Sequence, residues 1–266
     1  MASGDFTSAS GALSRRGRFV TLLALGGVTV VAWLWLVMQA RYMTDMAGDM
    51  TDMVMPLTDA WTASYVFLTF AMWWVMMVGM MLPSAAPMIL TFGTLNRNKR
   101  ARGQPFVPIT IFLLGYLIAW GGFSAIATLA QWALDRFVLL TPMLAIGSSL
   151  FGGGLLILAG VYQFTPLKQA CLRGCRSPFA FLLNHWRDGW VGALRMGLAH
   201  GAYCIGCCAV LMALLFLAGA MNLLWVAMLA VFVFAEKLLP GGEWIGRTGG
   251  VAMLGCGAVL LARGFG

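Results

Sequence analysis

Charged residues are scarce in this sequence: Lys, Arg, Asp and Glu make up 10% of its 266 residues, against 61% hydrophobic residues. A soluble domain of this length is excluded, because so apolar a surface would aggregate in water. The sequence also lacks the alternating segments of about ten residues that a transmembrane β-barrel needs. Apolar runs of about 18 residues or more recur instead, each long enough to cross a hydrocarbon core of about 30 Å. The predicted fold class is all-α, a polytopic membrane helical bundle.

About seven stretches are predicted to cross the membrane. The first lacks an A-x-A-like cleavage site, so we interpret it as a retained helix rather than a signal peptide. Residues 1–14 are small and polar and are predicted to form a disordered tail, and residues 15–266 a single transmembrane domain. The predicted spans are 18–39, 61–82, 108–133, 143–163, 190–218, 222–239 and 248–263.

Acidic residues are especially few, nine against 17 Lys and Arg, which gives a formal net charge of +8. Nucleic-acid binding has no support, because the positions of the basic residues explain the excess. With the N-terminus in the cytoplasm, 14 of the 17 lie on the inner side of the predicted spans. This is the positive-inside pattern of a membrane protein, and the lipid bilayer is its first expected partner. The basic residues predicted outside are Arg41, Arg136 and Arg263.

The longer connections differ in composition. Outer loop 41–60 is acidic and rich in methionine, and inner loop 94–107 is a basic connector. Inner loop 166–188 mixes basic residues with FAFLL, which suits a short amphipathic helix in the membrane interface. It also carries Cys171 and Cys175, which we interpret as residues of a plain loop because two thiols make an incomplete metal site.

Glycine and proline punctuate the predicted spans. Gly197 and Gly201 have the small-xxx-small spacing that lets two helix backbones approach closely. Pro83 and Pro87 are expected to kink or end the second span near its cytoplasmic side, because proline removes a backbone donor.

Histidine and cysteine are rare, two and six residues, yet four of these eight lie in HGAYCIGCC. On an α-helix His200, Cys204 and Cys207 fall within an arc of about 60°, with Cys208 beside it. Imidazole and thiolate bind copper, zinc or iron–sulfur centres. His200 and Cys207 are about 10.5 Å apart along the helix axis, so a complete site needs ligands from another helix. The segment predicts a metal or redox site; packing thiols and a hydrogen-bonded histidine are the alternative.

The second span offers thioether partners. Met72, Met76 and Met80 recur every fourth residue and form one stripe, and Met77 and Met81 form a second. A thioether is a soft, neutral ligand suited to Cu(I). The alternative is packing, because methionine also fills irregular gaps in cores.

The outer loop contains a short imperfect repeat, MTDM-AGD-MTDM, which would place a thioether face beside a carboxylate face on a helical turn. Methionine in an oxidising space is exposed to sulfoxidation, so a run of it in a polar loop indicates metal capture. An amphipathic interfacial helix is the alternative. The candidate capture ligands are Met43, Met46, Met50, Met53, Asp45, Asp49 and Asp52.

Glu236 is an acidic residue well inside a predicted span. Carboxylates within a membrane are costly and indicate function by default. Three roles stay open for it: metal ligand, proton relay, or a structural pair with Arg195 at the inner end of the fifth span.

Four segments together resemble a bacterial family catalogued as a domain of unknown function and described as predicted metal-binding integral membrane proteins. They are MMLPSAAP, YQFTPLKQACLRGCRSP, MGLAHGAYCIGCCAVLM and AEKLLPGG, and the resemblance covers roughly residues 60–245. It implies a multi-pass protein of the bacterial cytoplasmic (inner) membrane and no particular reaction. The metal ligands it implies are His200, Cys204, Cys207, Cys208 and Glu236.

We therefore expect a protein that captures copper at the outer loop and holds or passes it through the second-span methionines to the His/Cys segment. Soft sulfur favours Cu(I), although other transition metals share these ligand types. A metal chaperone or a larger membrane complex is the expected partner. One alternative is a thiol–quinone oxidoreductase using Cys204 and Cys207 as a C-x-x-C pair, although the outer loops lack the cysteines for a relay. A structural subunit of a membrane complex is the other alternative.

Overall fold

The computed structural model describes residues 5–49, 61–101, 106–137 and 148–265. These residues form ten helices and no strand, so the predicted all-α class is confirmed for this part of the chain. The helices are α1 (Asp5–Asp49), α2 (Ala63–Ala101), α3 (Ile109–Arg136), α4 (Ser149–Gln163), α5 (Pro166–Arg176), α6 (Pro178–His185), α7 (Gly189–Ala213), α8 (Leu215–Ala218), α9 (Leu223–Leu238) and α10 (Gly242–Phe265).

Five helical segments of the described chain are long and apolar enough to cross a membrane, against the seven predicted. A sixth is obtained if α4 and α5, which meet at an angle of 64°, count as one broken span. The remaining difference is α9, whose 16 residues fall short of the roughly 20 that a crossing needs. The five are Arg16–Tyr42, Ala63–Lys99, Ile109–Arg136, Gly189–Ala218 and Gly242–Gly264.

Helix α1 includes residues 5–14 and 41–49, which the sequence assigned to a tail and to the outer loop. The division of the chain into a tail and one domain stays a prediction. The outer capture ligands lie outside the residues whose side chains the structure describes, so their role is also still a prediction. They are Met43, Met46, Met50, Met53, Asp45, Asp49 and Asp52.

Helix α2 passes through both of its prolines and ends only at Ala101, later than predicted. Pro83 has no N–H, so the carbonyl of Gly79 four residues earlier loses its usual helical donor. The indole Nε1 of Trp33 on α1 donates to that carbonyl at 3.3 Å. The contact between α1 and α2 thus satisfies a backbone group that would otherwise be costly in an apolar surrounding.

Glycines bring α3 and α7 into backbone contact, as the small-xxx-small spacing predicted. A Cβ on Gly115 would lie 2.9 Å from the amide nitrogen of Leu198. A Cβ on Gly201 would lie 2.5 Å from the Cβ of Ala119, and a Cβ on Gly197 would collide with the carbonyl oxygen of Phe112. The contact positions α7, which carries the predicted His/Cys ligands.

Gly197→Ala is expected to destabilise the protein by about 1–3 kcal/mol, because the added methyl group forces α3 and α7 apart. Gly122→Ala on α3 is the matched control, since a Cβ there meets no atom within 4 Å and alanine favours the helix. Thermal unfolding in detergent measures both. Equal midpoints for the two variants would contradict the close contact.

Residues 166–188 form two short helices, where the sequence predicted one, and they are packed more deeply than it suggested, with α5 and Phe181 of α6 against α7. Thr165 caps α5 by accepting from the amide of Lys168 at 3.3 Å, and Pro166 suits the first position of a helix. The side chains of Lys168 and Leu182 are 0% exposed. As a result, α5 brings its two cysteines to α7.

The start of α7 is joined to the end of α2 by an ion pair between Lys99 Nζ and Asp188 Oδ1 at 2.6 Å. Trp186 Nε1 donates to the same oxygen at 2.9 Å. The hydrogen bond from Lys99 holds the pKa of Asp188 below its usual range, so the pair persists at neutral pH and is lost only as the pH falls through that lowered pKa. Both groups are solvent-accessible, so the pair contributes little stability.

Candidate metal site

Sulfur atoms from three helices converge in the interior of the bundle. The α7 thiols of Cys204, Cys207 and Cys208 are at most 2% exposed. Met81 Sδ of α2 lies 3.9 Å from Cys208 Sγ. Cys175 Sγ of α5 lies 4.0 Å from Cys207 Sγ. These five residues are called the sulfur cluster below.

Within α7 the thiols are gathered around one backbone carbonyl. The thiol of Cys207 donates to the carbonyl oxygen of Cys204 at 3.0 Å, and that of Cys208 donates to the same oxygen at 2.9 Å. Both side chains therefore point back toward the turn that holds Cys204. All three thiols are free and available as ligands.

Cys204 also has two polar neighbours from other helices. Tyr116 Oη of α3 lies 3.3 Å from Cys204 Sγ and donates to the carbonyl of Met81 at 3.2 Å. Lys237 Nζ of α9 lies 3.0 Å from the same sulfur and 3.8 Å from Met81 Sδ. Lys237 is 4% exposed, although the sequence-based topology placed it on the inner side. Its position after Glu236 in an apolar stretch was the available signal, because ionisable residues in such stretches indicate function.

His200 lies one helical turn before Cys204, inside an aromatic enclosure. Its ring stacks on Tyr116 and Phe112, with centroids 5.6 and 6.2 Å away, and Phe181 meets it edge-on at 5.6 Å. In the described part of the chain its buried Nδ1 has no hydrogen-bond partner. A buried polar atom of this kind calls for an explanation; the role of His200 as a metal ligand is still a prediction.

The two cysteines of α5 are less buried than the α7 thiols. Cys175 is half-buried, and so is Cys171 one turn earlier on α5. Cys171 also faces α7, since a Cβ on Gly206 would lie 2.6 Å from its sulfur. An open basin of about 460 Å³ lies at the end of α5. Its lining residues are Arg173, Arg176, Ser177, Gly241, Glu243 and Trp244.

The sulfur separations suit a metal with few ligands. In the described residues, no three His, Cys, Asp or Glu side chains are placed to hold one ion, so a high-coordination site of those types is not preformed. Metal–thiolate bonds are about 2.3 Å long at zinc, and a trigonal centre with such bonds separates its sulfurs by about 4 Å. Two separate pairs, Cys208–Met81 at 3.9 Å and Cys175–Cys207 at 4.0 Å, each have the spacing of two sulfurs on one such ion. Thiolate and thioether together are typical ligands of Cu(I).

Comparison with known families gives a match over residues 70–260 to the PpoB2 family, described as copper chaperone. This chain belongs to that family. The matched region includes every residue of the sulfur cluster, together with Lys168 and Lys237. No curated protein and no solved structure matches the chain. Membership in this copper-related family supports the expected role in copper handling.

The methionine beside the thiols belongs to the second stripe of α2. Met72, Met76 and Met80, the first stripe, are buried in the core, and their role as ligands is still a prediction. Met81 is the one that contacts Cys208. Sequence spacing separated the two stripes but could not show which of them faces α7.

Glu236 is paired, but not with Arg195. Its Oε1 lies 2.6 Å from Lys168 Nζ, with both side chains buried, and the lysine also donates to Gln163 Oε1. Arg195 is exposed, so the predicted pair with that residue is wrong. Lys168 lies in the interior because α5 packs against the bundle, a position that the sequence did not indicate. A role for Glu236 as a metal ligand is still a prediction.

Proposed function

We propose that this chain is a membrane-spanning copper chaperone that holds Cu(I) in the sulfur cluster and passes it to an acceptor. The main support for this proposal is that soft sulfur ligands from α2, α5 and α7 lie close together in the sulfur cluster. Family membership supports copper as the cargo, and the five or six long apolar helices support a location in the bilayer. The positive-inside pattern supports the bacterial cytoplasmic membrane, with the N-terminus in the cytoplasm.

In this proposal the ion binds between two α7 thiolates and the Met81 thioether. Cys204 is the central ligand, because its sulfur lies next to polar groups of two other helices, Tyr116 of α3 and Lys237 of α9. Cys207 or Cys208 is the second thiolate, and Met81 adds a sulfur without adding charge. A thioether is suited to an apolar interior because it carries no desolvation penalty of the kind that an ion does.

We place the entry of the copper ion at the predicted outer side of the molecule. The methionine and aspartate residues of 43–53 capture the ion, and Met72, Met76 and Met80 conduct it along α2. His200, with its unpartnered Nδ1, is a further ligand one turn from Cys204. The methionines present soft thioethers and His200 a borderline imidazole, so copper passes between ligands that suit it rather than crossing bare hydrocarbon.

Release uses α5. Cys175 lies 4.0 Å from Cys207 and is partly accessible, so it can replace an α7 thiolate on the ion before an acceptor takes it. The acceptor is a metal chaperone or a metal-requiring membrane complex that docks at the basin near Arg173 and Arg176. Stepwise ligand exchange keeps the ion bound to sulfur throughout.

Met81→Leu is expected to lower Cu(I) affinity by about tenfold, because the isosteric substitution removes a ligand while preserving volume. Competition against a chromophoric Cu(I) chelator, in detergent under anaerobic reducing conditions, measures the affinity. Met228→Leu is the matched control, since Met228 is exposed on α9. The proposed function fails if the wild-type protein retains no copper after loading. The redox state of the Cys204–Cys207 pair would then be measured to test the oxidoreductase alternative.

A further inference from the structure

Lys237 has no carboxylate partner of its own in the described part of the chain. The neighbouring Glu236 is occupied by Lys168. The groups that surround Lys237 Nζ are instead Cys204 Sγ at 3.0 Å and Met81 Sδ at 3.8 Å. A buried ammonium is stable only beside compensating negative charge, and a thiolate of the sulfur cluster is the group placed to supply it.

Two contacts anchor the end of α9, which carries Lys237. Glu236 anchors one side of the helix to α5 through Lys168. The carbonyl of Leu239, just beyond the helix, accepts from Arg176 at 2.9 Å. Successive helical residues are about 100° apart around the axis, so Glu236 reaches Lys168 of α5 while Lys237 reaches Cys204 of the sulfur cluster.

We propose that Lys237 is a built-in counter-charge that makes the sulfur cluster select a monovalent soft cation over a divalent one. This inference rests on the proposed function and adds the charge class of the cargo. It gives Lys237 the role of a specificity-determining residue that is not itself a metal ligand.

The selectivity follows from counting charges in a buried site. Cu⁺ with two thiolates carries a net charge of −1, which the ammonium of Lys237 neutralises. Zn²⁺ with two thiolates is already neutral, so the same ammonium leaves a charge of +1. The described residues include no group of three His, Cys, Asp or Glu ligands that would supply a third anion. Uncompensated charge is strongly unfavourable away from water, so Lys237 favours Cu⁺ and opposes Zn²⁺.

Removing this charge is expected to lower the affinity for Cu(I) and to leave or raise that for Zn(II). For Lys237→Leu the ratio of the Cu(I) to the Zn(II) association constant should fall by about tenfold or more. Lys237→Arg keeps the charge and should stay within about threefold of wild type. Lys99→Leu removes a lysine at the surface, distant from the cluster, and is the matched control. Both constants are measured by chelator competition on detergent-solubilised full-length protein under reducing conditions.

The results for the wild type and for Lys237→Leu distinguish a failure of the proposed function from a failure of the role given to Lys237. A wild-type protein that binds no Cu(I) overturns the proposed function itself. A wild-type protein that binds Cu(I), with an unchanged ratio in Lys237→Leu, overturns only the role of Lys237. Circular dichroism and size-exclusion chromatography check folding. If the leucine variant does not fold, Lys237→Gln provides the same comparison with an uncharged side chain that can still form hydrogen bonds.

Discussion

Replacing Cys204, Cys207 and Cys208 together by serine is expected to leave the purified protein without copper, a loss of affinity of about a hundredfold or more. A serine hydroxyl is a hard, neutral group at physiological pH and a poor ligand for Cu(I). All three thiols are buried in the sulfur cluster, so the triple substitution removes every thiol that α7 contributes and leaves Met81 and Cys175 as the remaining members of the cluster. Even the loss of a single supporting partner costs ten- to a hundredfold in metal affinity.

Elemental analysis after anaerobic Cu(I) loading and desalting measures this loss. Cys256→Ser is the matched control, because Cys256 is an exposed free thiol on α10. Copper should remain bound to the control in the wild-type amount. Equal copper in the triple variant and the control would show that the sulfur cluster is not the site.

Glu236→Gln is expected to destabilise the protein by about 3–5 kcal/mol, since it leaves the buried charge of Lys168 without the carboxylate that compensates it. The side chain of Lys168 is 0% exposed, so water cannot replace the carboxylate unless the packing of α5 opens. Thermal and denaturant unfolding in detergent measure the effect. Glu243→Gln is the matched control, because Glu243 is exposed at the start of α10.

A double variant separates the ion pair from other roles of Glu236. Lys168→Met combined with Glu236→Gln should recover most of the lost stability, because replacing both members of a buried pair by neutral groups is often tolerated. The structural role is contradicted if Glu236→Gln is as stable as the Glu243→Gln control. If that variant were stable but had lost copper, Glu236 would instead be a ligand, as the sequence-based hypothesis held.

The helices and the α7 thiols could be predicted because both depend on local information. Helix periodicity alone places Cys204, Cys207 and Cys208 on neighbouring positions, and they share one carbonyl in the structure. The close contact of α3 with α7 also follows from glycine spacing, because glycine removes the side chains that would keep the backbones apart.

The ligands from other helices could not be predicted, because they depend on how α2 is rotated about its axis and on the bend between α4 and α5. Met76 and Met81 are both buried, so hydrophobicity gave no reason to prefer the stripe that contacts Cys208. The sequence favours a plain loop for Cys175, because two thiols alone make an incomplete metal site, yet the 64° bend after α4 turns this segment against α7.

The two buried lysines show where the positive-inside count was misleading. That rule treats each basic residue as lying in water beside the membrane. Lys168 and Lys237 are instead buried among polar and sulfur partners, and their pairing is a property of tertiary structure. The count places both lysines on the inner side of the membrane, although both side chains are buried in the bundle.

X-ray absorption at the copper edge, recorded on the anaerobically loaded wild-type protein, tests the central claim most directly. We expect the spectrum of Cu(I) with two or three sulfur neighbours at about 2.3 Å, the length typical of metal–thiolate bonds. Copper surrounded mainly by nitrogen or oxygen neighbours would contradict the assignment of the sulfur cluster as the copper site.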